Sequence, residues 1–250
     1  MKLIEEVNIR KIADSPTLAM LDLWKKLAME KFGKAPEVII GDRKEHPQLK
    51  SFAGSINLSY PHKVKGNVYL ALWLDSIAPP DLLMVTHELG HWVLKLQKFR
   101  GLLSYPKKNN NIEIMLNSLA HHVPLYNLQK KCGHEPQTEI NSRALHNLDL
   151  FSKDEEPYDS NTCKISALIL ADDMINCTSS IADQMIILFS KKHPKTYKIM
   201  ETILETKSYY DLQIPEKSLK FQRMVIKKVA LPGSWDIDKD VDELDKLIRA

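Results

Sequence analysis

Apolar residues recur at helical spacing over residues 15–32, where Leu18, Leu21, Leu23, Trp24, Leu27 and Ala28 build one face. Ser15 fits the N-cap, Pro16 the first helical position, and Gly33 the stop. The period then shortens to two. Glu37-Val38-Ile39-Ile40 is a β-branched run predicted as a strand, residues 55–60 are a second, and residues 67–74 a third. In the third, Val68, Leu70, Leu72 and Leu74 alternate with Tyr69, Ala71 and Trp73, and residues 61–66 read as the loop leading into it. After Pro79-Pro80 a long helix is predicted over 82–99, followed by a loop-like stretch at 104–111 and helices at 112–122 and 124–132, the latter closed by Gly133. Beyond the acidic run Asp154-Glu155-Glu156-Pro157 only helices are expected, at 164–176, 179–192, 194–207, 216–229 and 238–249. No internal repeat is evident.

Composition narrows the function classes. The 250 residues carry 35 Lys+Arg against 32 Asp+Glu, a net +3, which argues against a basic nucleic-acid scaffold. The lysine pairs at 107–108, 130–131, 191–192 and 227–228 are scattered and read as solvated helix ends or loops. With only eight glycines, no window fits the dinucleotide or P-loop phosphate cradles, and no G-x-S-x-G elbow occurs. Cys132, Cys163 and Cys177 are odd in number and too far apart for a C-x-x-C pair, so reduced thiols are expected. The first ten residues lack a continuous apolar core, and the longest apolar stretches, 68–74 and 165–171, fall far short of a bilayer span. A cytoplasmic protein without membrane association is expected.

The chemistry concentrates in Thr86-His87-Glu88-Leu89-Gly90-His91-Trp92. Two histidines four apart on a helix lie about 40° apart in azimuth and roughly 6 Å apart along the axis, so both rings can address one ion. This is the H-E-x-x-H pattern of zinc hydrolases, and His87 and His91 are the expected ligands of one Zn²⁺ per chain. Such a site needs one more protein ligand and an open position for water, and Glu88 is the expected general base that activates the metal-bound water. Gln97 stands where the metzincin continuation requires its third histidine, so the remaining ligand must come from a later helix. Glu113 is the first choice, with Asn117 one turn on to hydrogen-bond the outer nitrogen of a ligating histidine. His121, on the same helical face, and His122 are the competing ligands, while His134 and Glu135 follow the predicted helix end. His121, His122, Tyr105 and Tyr126 are candidate electrophiles for a developing oxyanion.

His87-Glu88-Leu89-Gly90-His91, followed by Glu113-Ile-Met-Leu-Asn117-Ser-Leu119-Ala120 and Pro124, resembles the ImmA/IrrE-type minimal gluzincin peptidases. Their second helix carries an E-x-x-A-N-x-F-A-like pattern, from which Leu116 and Leu119 depart here. The resemblance spans about residues 67–124 and implies a helix-strand-helix protease core, zinc-dependent peptide hydrolysis, and a cytoplasmic protein substrate. The expected fold class is α+β: a small three-stranded sheet packed on the H-E-x-x-H helix and a Glu-bearing helix, then an all-helical C-terminal region. The expected division is a metallopeptidase domain at 1–150 and a helical subdomain at 151–250. The expected function is a zinc metallopeptidase acting on a protein or peptide substrate, with the strand at 67–74 as the edge that takes up an extended peptide. The alternative is a zinc-containing regulatory or partner-binding protein with little or no turnover.

Overall fold

A computed structural model describes residues 3–46, 58–64, 66–75, 77, 79–105 and 110–249. The architecture is α+β, with a four-stranded mixed sheet, a separate two-stranded sheet and ten helices among the described residues. Contacts gather the chain into two interleaved units, one of residues 1–97, 127–134 and 239–250, the other of residues 98–126 and 135–238. No described helix is long and apolar enough to cross a membrane.

The first unit holds β1 (Leu3–Glu5), α1 (Glu6–Ile12), α2 (Ser15–Phe32), β2 (Glu37–Asp42), β3 (Leu58–Val64), β4 (Asn67–Leu74) and α3 (Leu82–Leu96). The cap of α2 is Asp14, whose carboxylate accepts from Thr17 N, so Ser15 is the first helical residue instead of the expected cap. Gly33, at φ +72°, closes the helix as expected. The sheet order is β1-β2-β4-β3, with β2 and β4 parallel and the outer pairings antiparallel. The strand at 67–74 is therefore central, and the expectation that it offers the edge is corrected. The edges are β1 and β3, and β3 runs through Pro61 to Val64, where a loop was expected. An edge strand tolerates Pro61 because the missing N–H interrupts pairing on one side only. Of the strand expected at 55–60, residues 55–57 lie outside the described residues.

Alternation along β2 and β4 sorts Val38, Ile40, Leu70 and Leu72 to one face and Ile39, Ala71 and Trp73 to the other, all at most 2% exposed. Leu3, Tyr60 and Tyr69 pack on the second group. Helix α3 packs on α2, with Trp24 and Trp92 edge to face at 6.3 Å, and also touches β4. Asp81 caps α3 by accepting from Leu83 N and Met84 N. Glu6, buried at the start of α1, binds Arg10, Lys25 and Val38 N.

The second unit contains β5 (Leu102–Tyr105) paired antiparallel with β6 (Ser234–Ile237), neither strand foreseen. Around one apolar core it packs α5 (Gln137–Lys153), α6 (Ser160–Asn176), α7 (Ser179–Lys192), α8 (Pro194–Ser208) and α9 (Pro215–Val229). A final α10 (Asp240–Arg249) returns to the first unit. The C-terminal helices match their expected spans closely, whereas α5 lies in a stretch assigned no element.

The two helices expected at 112–122 and 124–132 form one, α4 (Asn110–Lys131), with Pro124 inside it. Proline deprives the carbonyl four residues back of its helical donor. That carbonyl, Ala120 O, accepts instead from the buried Ser218 hydroxyl at 3.2 Å, so the helix continues. The helix ends at Gly133, φ +98°, with His134 N bonded back to Gln129 O.

Candidate metal centre

Helix α3 presents the H-E-x-x-H residues as its spacing demands. His87 and His91 are half-buried, and their Nε2 atoms lie 3.3 Å apart. Two imidazole nitrogens on one tetrahedral Zn²⁺, each about 2.05 Å from it, stand roughly 3.3–3.4 Å apart. The pair is therefore already set at the bite of a zinc ion. Between metal-free rings the same separation suits a hydrogen bond from one Nε2–H to the other nitrogen.

Glu88 is buried more deeply than either histidine, 7% exposed. Burial pushes its carboxyl up to about 7, against the pull of the Ser59 hydroxyl and the Lys95 ammonium. Ser59 on β3 donates to Glu88 Oε2 at 3.2 Å and itself accepts from Trp92 Nε1 at 3.1 Å. No local pattern in the sequence links Ser59 to a residue 29 positions later.

The expected third-ligand face of α4 has another partner. Glu113 Oε2 accepts from Ser104 N at 2.7 Å. The Asn117 amide accepts from Leu102 N at 2.8 Å and donates to Leu102 O at 3.0 Å, and His121 Nε2 donates to Arg100 O at 3.2 Å. The geometry is a ladder. Four residues of helix rise about 6 Å and two residues of strand about 6.7 Å, so side chains four apart on α4 meet alternate backbone positions beside and along β5. Glu113, Asn117 and His121 thus pair one side of this segment while β6 pairs the other.

His122 stands nine residues after Glu113, about 180° around the helix, and so faces away from that ladder. Ligand atoms of His87, His91 and His122 lie within 4.8 Å of one another, and among the described residues this is the group able to hold a metal ion. In the last turn of α4, Gln129 Nε2 donates to Thr86 Oγ1 at 3.1 Å and to Leu83 O at 3.3 Å. His122 is seven residues before Gln129 and so shares its helical face.

Behind His122 lies a polar network. Its Nδ1 is 2.6 Å from Asp172 Oδ2 on α6. Arg143 on α5 donates to Asp172 Oδ2 at 3.0 Å, Asp173 Oδ1 at 2.8 Å and the Tyr126 hydroxyl at 2.9 Å. Burial opposes the charge of Arg143, but Asp172, Tyr126 and Asp173 outweigh it and raise its pKa. Burial, reinforced by Asp172, also raises the Tyr126 pKa and keeps the phenol protonated. Of the other candidates, Tyr105 is exposed, and His134, buried and depressed in pKa by that burial, lies in the loop after α4.

No family model, curated protein or solved structure matches this chain.

Proposed function

We propose that this chain is a zinc-dependent hydrolase of peptide bonds. The observation that carries the reading is the pair of histidine nitrogens set at a zinc bite on α3 with a buried carboxylate, Glu88, between them in sequence. His87, His91 and His122 would hold the ion, supported by their mutual proximity, with Glu113 as the alternative third ligand. When bound, zinc supplies Lewis acidity that lowers the pKa of water and polarises a carbonyl. Glu88 takes a proton from the attacking water and returns it to the leaving amine, a role suited to a carboxylate held near neutrality. Tyr126, protonated and one turn from His122, donates to the developing oxyanion. An extended peptide adds along β3, whose Ser59 reaches Glu88.

Glu88 also separates this reading from a structural zinc site in a partner-binding protein, which would use four protein ligands and no general base. The test combines metal analysis with a fluorogenic peptide library. About one zinc per chain is expected, lost in His87→Ala and His91→Ala. Glu88→Gln should keep the metal and abolish hydrolysis, and a Glu88→Gln protein that still cleaves would overturn the mechanism.

A further inference from the structure

Resting on the reading of His122 as a ligand, we propose that Asp172, held in place by Arg143, is a positioning residue that fixes His122 in the tautomer able to bind a metal. Both side chains are buried, each residue 6% exposed. Asp172 Oδ2 receives Arg143 Nη2 at 3.0 Å and Oδ1 receives Asn176 Nδ2 at 2.9 Å. A carboxylate surrounded by such donors is an acceptor, so the 2.6 Å contact requires the hydrogen on His122 Nδ1. The neutral ring then carries its lone pair on Nε2. Ligating histidines characteristically donate their other N–H to a carboxylate in this way, which sets ring orientation and strengthens the donor nitrogen.

The support extends one layer further. Arg143 is itself held by Asp173, whose second oxygen accepts from Asn147 Nδ2 at 2.7 Å. In this way α5 and α6, within the helical region, orient a ligand carried by α4.

The test uses the full chain. Zinc affinity is measured by competition with a chromophoric chelator, and the His122 tautomer by ¹⁵N NMR of metal-free protein, with circular dichroism checking each fold. Wild type should show His122 as Nδ1–H, and Asp172→Ala should lose that preference. Asp172→Asn, which sets an amide donor against existing donors, should weaken zinc about 10–100-fold. Wild-type His122 protonated on Nε2, or an Asp172→Asn affinity within threefold of wild type while His122→Ala loses zinc, overturns the positioning role and leaves the ligand reading standing. A His122→Ala protein that binds zinc like wild type overturns the ligand reading, and the positioning role with it.

Discussion

Removing the Glu113 carboxylate separates its two possible roles. In the structure that carboxylate satisfies Ser104 N on β5, and Ser104 is 2% exposed. Glu113→Ala leaves that buried N–H without its acceptor, at a cost of about 1–3 kcal/mol. At roughly 2–4 °C per kcal/mol for a chain of this size, the melting temperature should fall by about 3–10 °C. Glu113→Gln keeps an oxygen in place and should recover most of the loss. Zinc content should be unchanged in both variants, because His122 lies about 180° around α4 from Glu113. Thermal melts followed by circular dichroism, with zinc measured on the folded fraction, provide the readout. A Glu113→Ala protein that melts like wild type yet has lost its zinc would refute the ladder and restore Glu113 as the third ligand.

Three further outcomes follow from the packing. Glu6→Gln removes a buried carboxylate whose pKa is lowered: burial alone would raise it, but Lys25, Arg10 and Val38 N together prevail. A depressed folded pKa stabilises above the unfolded value near 4.5 and loses that contribution as pH falls through the folded pKa. The variant should therefore be less stable by about 1–3 kcal/mol at pH 7, and melts should show the deficit vanish in acid. Gly41→Ala drives a Cβ into the Trp73 ring and should cost about 1–3 kcal/mol, with altered near-ultraviolet tryptophan dichroism. Ser218→Ala strips Ala120 O of its donor, again at about 1–3 kcal/mol. Pro124→Ala in the same background should cut that cost by restoring a main-chain N–H, and an unchanged penalty in denaturant titrations would exclude the account given for the unbroken helix.

Periodicity and local motif determined a great deal by themselves. The α+β class, the spans of α2 and the C-terminal helices, and the placing of His87, Glu88 and His91 on one helix all rest on contacts within a few turns. For the same reason spacing alone puts Glu113, Asn117 and His121 on one face and leaves His122 on another. Tertiary structure alone decided what those faces meet. Ser218 carries α4 through Pro124, a rescue from 98 residues away that proline's local preference cannot reveal. Backbone donors on β5 occupy the Glu113 face, and Ser59 and Asp172 approach Glu88 and His122 across 29 and 50 residues. Helical spacing specifies direction around an axis, but which group waits in that direction depends on burial and pairing summed over the whole fold.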